Sequence, residues 1–308
     1  MTLIIAALTA SGIVLTADSR QTYRNQAGVF RVRSDTAAKL FELTDRCAVA
    51  ISGRAFLQEQ ANQPFKNAGY FIRRFAKTAK LNGKTTREIA VELETAITPI
   101  FAPAVTATED LVRQEVAQNG GSALVFQPRN RNLLPYTYKA ADGSTAADVG
   151  AVEPINAIVA GIDADGIGRA YSVGIPGQIG IERDTQSCGA FWLGQTDVIV
   201  RIVKGWAPEI YELPEVKTFQ TQNPNVVEQA LDRLEYVINW GTITLQDAVD
   251  FCVLMTKTTA SIQRFSDGTI LKPGGIPGVG GSIDVAVLTP EKGLRWLKQK
   301  ELSATGCD

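Results

Sequence analysis

Short apolar runs separated by turn residues occupy the first fifty positions of the chain. The runs Leu3–Leu8, Ile13–Ala17, Lys39–Leu43 and Cys47–Ser52 are rich in aliphatic and β-branched residues, which is typical of buried strands. Turn-type residues at positions 10–12 separate the first two runs. The pattern predicts two amino-terminal hairpins with a polar excursion between them.

Helical patterns follow this first group of strands. The stretch Ala55–Leu81 is predicted to be helical, with an interruption at Pro64, which cannot donate a backbone hydrogen bond. Thr85 and Glu88 have the spacing of a capping box, so a second helix is expected to begin there. Its apolar stripe at helical spacing consists of Ile89, Leu93 and Ile97.

The rest of the chain repeats the order of strands followed by helices. Further strands are predicted at Ser122–Phe126, Ile155–Asp163, Gly168–Val173 and Ser282–Leu288, with a short strand or helix around Leu294. Further helices are predicted at Ala190–Lys204, Asn223–Gly241 and Leu245–Gln263, the last capped by Thr244.

Alternation of strand and helix groups predicts an α+β fold in which long-range pairing joins strands from both ends of the chain. The expected architecture is one domain, residues 1–308, with two sheets between helix layers. Insertions are expected near residues 127–152, 206–222 and 268–281, where the sequence is polar or rich in glycine and proline.

Composition narrows the classes of partner. Apolar residues make up 45% of the chain and charged residues 20%, which is the balance of a globular protein with a sizeable core. The 31 Lys and Arg residues nearly cancel the 32 Asp and Glu residues, so neither nucleic acid nor a membrane is an expected partner. The start of the chain lacks the basic region of a signal peptide, and a cytoplasmic enzyme is expected.

No cofactor or metal site is indicated. The four cysteines, Cys47, Cys188, Cys252 and Cys307, are widely spaced and form no metal-binding pair. The glycine-rich loop at residues 273–281 precedes a strand rather than a helix, so it does not match a phosphate-binding loop.

The chain contains no histidine. This absence excludes a Ser-His-Asp triad, a Cys-His pair and a histidine general base. A hydrolase with this sequence must therefore use another group as its base.

Three amino-terminal segments carry a resemblance to a known family. They are the strand that begins at Thr2, the segment Leu15–Arg20, and the segment Ala38–Phe41, which leads to Ala50–Gly53. In this order they resemble the catalytic β subunits of the proteasome, which are N-terminal-nucleophile hydrolases. The resemblance implies a four-layer α-β-β-α sandwich.

The same resemblance implies an active site. Thr2 would be the nucleophile after removal of Met1, Asp18 the catalytic acid, Lys39 the active-site lysine, and the backbone N–H of Gly53 the oxyanion donor. The chemistry is consistent with a chain that lacks histidine, because a free α-amine, with a pKa of about 7.7 to 8, can accept the proton of the threonine hydroxyl.

Two weaker matches lie further along the chain. Ser187, in Ser187-Cys188-Gly189, resembles a serine that supports the nucleophile, and the pattern predicts a helix after it. Asp267 resembles a supporting aspartate near a serine-glycine-glycine turn. The turn departs from the family pattern, because Val279 stands before Gly280 where the family has serine.

These features predict a threonine-type peptidase or amidohydrolase that forms an acyl-enzyme on a peptide or protein substrate. A transpeptidase or protein ligase would use the same nucleophile. A non-catalytic subunit that retains Met1 is the third alternative. The resemblance also implies a homo-oligomer, whereas the sequence indicates no particular unfoldase partner.

Overall fold

A computed structural model describes residues 2–24, 28–270, 273–274 and 276–300. The chain is 33% helix and 34% strand, which confirms a mixed α+β protein. Met1, Cys307 and part of the glycine-rich loop lie outside the described residues.

The strands and helices alternate in groups along the chain. The strands are β1 (Leu3–Thr9), β2 (Gly12–Ala17), β3 (Gln21–Arg24), β4 (Phe30–Ser34), β5 (Leu40–Thr44), β6 (Cys47–Gly53), β7 (Phe56–Leu57), β8 (Lys66–Asn67), β9 (Ser122–Phe126), β10 (Leu133–Lys139), β11 (Thr145–Ala151), β12 (Ile155–Ile162), β13 (Gly168–Ile175), β14 (Ile179–Asp184), β15 (Gly189–Gly194), β16 (Asp284–Thr289) and β17 (Gly293–Lys298). The helices are α1 (Ala68–Thr78), α2 (Thr86–Ile97), α3 (Ala102–Gln118), α4 (Asp197–Lys204), α5 (Pro214–Gln222), α6 (Val226–Leu231) and α7 (Leu245–Phe265).

The chain divides into two compact units. The first comprises Met1–Ala38, Thr185–Val287 and Arg295–Asp308. It contains the strands of a five-stranded sheet in the order β15-β1-β2-β16-β17, apart from short stretches of β16 and β17. Strand β1 pairs antiparallel with both β2 and β15. Helices α7 and α4 pack in this unit, with α7 against β1 and β2.

Alternate side chains of β1 form one wall of the core in the first unit. Leu3, Ile5 and Ala7 are buried in one apolar cluster with Cys252 and Met255 of α7. Every residue of β1 and β2 is buried, including those that point away from this cluster. Both faces of the two strands are therefore covered.

The second unit comprises Lys39–Asp184 and Leu288–Leu294. Its five-stranded sheet has the order β14-β13-β12-β6-β5, and α1 and α2 pack on it. The capping box of α2 is confirmed, because the Thr85 side chain accepts from the Glu88 amide and the Glu88 side chain accepts from the Thr85 amide. The predicted stripe of α2 is buried at all three positions.

A smaller layer of the second unit joins α3 to the three-stranded sheet β11-β10-β9. Val112 and Val116 of α3 pack with Tyr136 of β10 in a separate apolar cluster. The polar stretch 127–152 thus contributes two paired strands, which its sequence did not predict. Helix α3 was also missed.

Three predicted helices are wrong in extent. Within Ala55–Leu81, β7 and β8 pair as a short ladder, and the helix begins only after Asn67, whose side chain accepts from the Gly69 amide at 2.8 Å. Within Ala190–Lys204, the first residues are drawn into β15 by pairing with β1, and α4 begins at Asp197.

The third wrong helix is Asn223–Gly241. Helix α6 ends at Leu231 and a short 3-10 turn follows over Asp232–Leu234. The Tyr236 amide then donates to the Val203 carbonyl at 2.9 Å instead of continuing the helix. A tertiary hydrogen bond therefore overrides the helical pattern of this segment.

Within the part of the chain that the structure describes, one helical run, Thr86–Gln118, is long and apolar enough to cross a membrane by length and composition alone. It includes α2, a 3-10 turn and α3, and one face of α2 is occupied by the sheet. Core helices of soluble proteins pass the same test, so the run is weak evidence for a membrane span.

Candidate active site

Thr2 lies directly before β1 and is only 4% exposed. Its carbonyl accepts a hydrogen bond from the Gln195 amide at 2.7 Å, just beyond the end of β15. The antiparallel register explains this contact, because Leu3 is opposite Gly194, and the next pair outward is therefore Thr2 with Gln195. The sheet thus fixes the backbone of Thr2 from one side.

Asp18 follows β2 and is completely buried. Its Oδ1 accepts from the Leu3 amide at 3.1 Å, and its Oδ2 accepts from the amides of Arg20 and Gly280, each at 3.0 Å. Three backbone donors therefore surround this carboxylate, which compensates the cost of burying its charge. The structure brings the Asp18 carboxylate to Leu3, the residue next to Thr2, and its catalytic role stays a prediction.

The Gly280-Gly281 turn holds Asp18 from the other side. The Gly280 carbonyl accepts from the amides of Ser19 and Arg20, each at 2.9 Å, while its own amide binds Asp18. Gly281 has a φ of +71°, and an added Cβ would lie 3.0 Å from the carbonyl carbon of Asp35 and closer still to its oxygen. Both the backbone conformation and the close approach require glycine at position 281.

Val279 stands where the family pattern has serine, and its environment explains an apolar residue there. It is fully buried in the core cluster of the first unit. Its amide and that of Gly278 are both bound by Gln263 Oε1, at 2.9 Å and 3.1 Å. Gln263 Nε2 in turn donates to Gln195 Oε1 at 2.7 Å. Neither glutamine belongs to a local motif that would have indicated these contacts.

A partly buried lysine, Lys300, interacts electrostatically with Asp18. Lys300 Nζ donates to the Ala37 carbonyl at 3.0 Å and lies 3.4 Å from Asp284 Oδ2. Burial lowers the pKa of this amine, and the charges of Asp284 and Asp18 oppose the shift. Sequence reasoning also missed Lys300, because its position depends on pairing between the ends of the chain.

Lys39 and Gly53 belong to the second unit. Lys39 is 7% exposed and precedes β5, and its carbonyl accepts from the Ile51 amide of β6 at 2.8 Å. Gly53 ends β6 with a φ of +82°, and an added Cβ would collide with the carbonyl of Pro154. Both residues therefore have defined places on adjacent strands, and their catalytic roles remain predictions.

Of the two weaker matches, Ser187 lies towards the end of β1 that is remote from Thr2. Ser187 precedes β15 and is exposed, and Gly189 is opposite Leu8, at the end of β1 remote from Thr2. About five residues of strand, roughly 17 Å, separate the two ends. The segment after Ser187 is a strand and not the expected helix. Asp267 is exposed beyond α7, and its carbonyl accepts from the Gly274 amide.

The second unit also contains a cleft of about 660 Å³ at the amino-terminal end of α2. The helix terminus here is already occupied by carboxylates. Asp163 Oδ1 accepts from the Thr86 amide at 2.7 Å, and Glu88 Oε2 accepts from the Thr85 amide at 2.8 Å. This terminus is therefore unsuited to a further anion. Among the described residues, no group of three or more His, Cys, Asp or Glu could hold a metal ion.

Comparisons with known proteins do not extend this evidence. No protein-family model matches the chain, and a search of curated proteins finds none that is similar in sequence. The geometry around Thr2 and Asp18, together with the resemblance of the amino-terminal segments, is what bears on the function.

Proposed function

We propose that the protein is a threonine-type amidohydrolase or peptidase in which Thr2, with a free α-amine, is the nucleophile. One observation carries the proposal. The buried carboxylate of Asp18 binds the Leu3 amide at 3.1 Å, so a fixed negative charge lies one residue from the amino terminus that the reaction requires. A carboxylate at this place would hold and orient an ammonium group on Thr2.

The proposed reaction begins at the Thr2 hydroxyl. The neutral α-amine takes the hydroxyl proton as Oγ1 attacks the carbonyl carbon of an amide. The resulting tetrahedral intermediate collapses when the leaving nitrogen receives that proton, which leaves an ester on Thr2. Water, deprotonated by the same amine, then attacks the ester and restores the hydroxyl. An amine acceptor in place of water would give transpeptidation.

The roles of the remaining groups follow from the resemblance. Lys39 would favour the neutral form of the Thr2 amine and stabilise negative charge on Oγ1, and the Gly53 amide would donate to the oxyanion. One observation supports the role of Gly53 as oxyanion donor. Its positive φ changes the direction of the backbone at the end of β6. The substrate is proposed to be a peptide or protein.

We also propose a four-layer α-β-β-α sandwich as the fold. The support comes from burial. Helix α7 accounts for one face of β1 and β2, yet their residues on the other face are buried as well. Strand β6 of the second sheet is likewise buried along its length up to Gly53. Strands buried on both faces require a layer on each side.

The test combines mass spectrometry of the amino terminus with a peptide epoxyketone, which forms a ring with both the hydroxyl and the α-amine of an amino-terminal threonine. We expect loss of Met1 and a single adduct on Thr2. Because Thr2 is only 4% exposed in the unprocessed chain, the reaction requires that processing also uncover its hydroxyl.

Two variants separate the nucleophile from the fold. Thr2→Ala removes the hydroxyl together with the γ-methyl group and is expected to abolish labelling and turnover while the protein still folds. Thr2→Ser keeps a hydroxyl and an amine and should retain both activities in part. Retained Met1 with no adduct would refute the proposal and favour a non-catalytic subunit. Product analysis with an added amine distinguishes hydrolysis from transpeptidation.

A further inference from the structure

Two glutamine side chains connect distant parts of the first unit. Gln263 lies in the last turn of α7, and its Nε2 donates to Gln195 Oε1 at 2.7 Å. Its Oε1 accepts from the amides of Gly278 and Val279 at 3.1 Å and 2.9 Å. One carboxamide thus binds both the segment after β15 and the loop before Gly280.

Each end of this connection leads to the proposed nucleophile. On one side, the Gln195 amide donates to the Thr2 carbonyl at 2.7 Å. On the other side, the loop continues to Gly280, whose amide binds Asp18 Oδ2 at 3.0 Å. Asp18 Oδ1 then binds the Leu3 amide, which shares a peptide bond with the Thr2 carbonyl.

The hydrogen bonds therefore form a closed ring. It runs from Thr2 through Gln195 and Gln263 to the 278–280 loop, then through Asp18 back to Leu3. In every other hydrogen bond of the ring, the donor is a backbone amide. The contact between the two glutamines is the link made by side chains alone. A side-chain variant can therefore open the ring there while leaving every backbone donor in the chain.

We propose that Gln263, paired with Gln195, is a positioning residue for Thr2. It sets the distance between the amino terminus and the Asp18 carboxylate, because it anchors the backbone segments that hold each of them. A carboxamide suits this place because it accepts from two amides with one end and donates with the other. The inference rests on the proposed function, since positioning matters only if Thr2 reacts.

The test is a double-mutant cycle of Gln195→Glu, Gln263→Glu and the double variant. Each single variant keeps one hydrogen bond between the two side chains, because a carboxylate faces a carboxamide that can rotate to donate. The double variant places two carboxylates face to face. Each single change adds one negative charge and the double variant adds two, so the product of the two single effects accounts for the separate effect of each added charge.

The readout is the rate of epoxyketone labelling of Thr2 as a function of pH, with thermal unfolding measured in parallel. We expect both single variants to label within a few-fold of the wild-type rate. The double variant should label about tenfold more slowly than the product of the single effects, at a pH where it is fully folded. A purely structural pair would lower stability without this loss of rate.

The outcomes distinguish a failure of the proposed function from a failure of the positioning role. If the wild-type Thr2 is not labelled, the proposed function fails and the positioning role fails with it. If Thr2 is labelled and the double variant shows only the product of the single effects, the positioning role alone is overturned. Hydrogen exchange adds a second criterion, because opening the ring should speed exchange of the Leu3 and Gly280 amides together.

Discussion

Replacing Gly281 with alanine tests how tightly the turn beside Asp18 is packed. Two separate costs are expected. The φ of +71° lies in the left-handed region, where a residue with a Cβ loses about 1 kcal/mol relative to glycine. The new Cβ would also lie 3.0 Å from the carbonyl carbon of Asp35 and 3.0 Å from Cβ of Ser19, and nearer still to the Asp35 oxygen.

The second cost is the larger one, because the obstructing atoms belong largely to backbone that cannot rotate away. Relieving such an overlap requires the Asp35 segment or the turn itself to shift, and overpacking of this kind costs about 1 to 3 kcal/mol. We therefore expect Gly281→Ala to lower the free energy of unfolding by about 3 kcal/mol in total.

Gly83→Ala is the matched control. Gly83 has a φ of +81°, and an added Cβ there meets no atom within 4 Å. Gly83→Ala should therefore lower the free energy of unfolding only by the conformational cost, about 1 kcal/mol. Reduced freedom of the unfolded chain offsets part of this cost. Urea unfolding of both variants with unchanged m-values gives the difference, which should be about 2 kcal/mol. Equal losses for the two variants would show that the turn has room for a side chain and refute the packing argument.

Two further predictions concern ionisable side chains. Burial, a hydrogen bond to Glu182 and the nearby Asp163 charge raise the pKa of Tyr171 to about 12. The folded state therefore holds the Tyr171 proton more tightly than the unfolded state does. This difference contributes about 2 kcal/mol to the free energy of unfolding below pH 10, and the contribution is lost between about pH 10 and 12. Between about pH 10 and 12 the wild type should therefore lose about 2 kcal/mol of unfolding free energy relative to Tyr171→Phe, and a constant difference between the two proteins would contradict the assignment. Burial also raises the pKa of the Cys47 and Cys252 thiols. Neither thiol should therefore react with a disulfide reagent before the protein unfolds. The half-buried Cys188 should react in the native state. Peptide mass spectrometry checks this, and native labelling of Cys47 would contradict it.

The sequence pattern correctly predicted those strands and helices whose determining contacts lie within a few residues of one another along the chain. The first two hairpins, the capping box at Thr85 and the long helix capped by Thr244 are confirmed. In each case the determining contacts are near in sequence, such as a cap side chain and an amide three residues later. The contact between Asp18 and the Leu3 amide has the same local origin, because the β1–β2 hairpin connects the two residues.

Tertiary contacts decided the segments that were predicted wrongly. Ala190 and its neighbours form a strand because β1 offers a pairing edge, although their local pattern also suits a helix. The same limitation concealed Gln195 and Gln263, which are 68 residues apart and carry no motif. The resemblance at Ser187 is local, whereas the strand register puts this residue at the end of β1 that is far from Thr2.

The environment of Asp18 shows why the amino-terminal motif is not a self-sufficient site. Its carboxylate accepts from Leu3 and Arg20, which are close in sequence, and from Gly280, which is 262 residues away. Without the third donor, a fully buried charge would lose part of its compensation and the carboxylate would be free to turn from Leu3. Variants in the 278–281 turn should therefore impair labelling of Thr2 although they lie far from it in sequence. A chain truncated before this turn should not label at all, even with its first twenty residues intact.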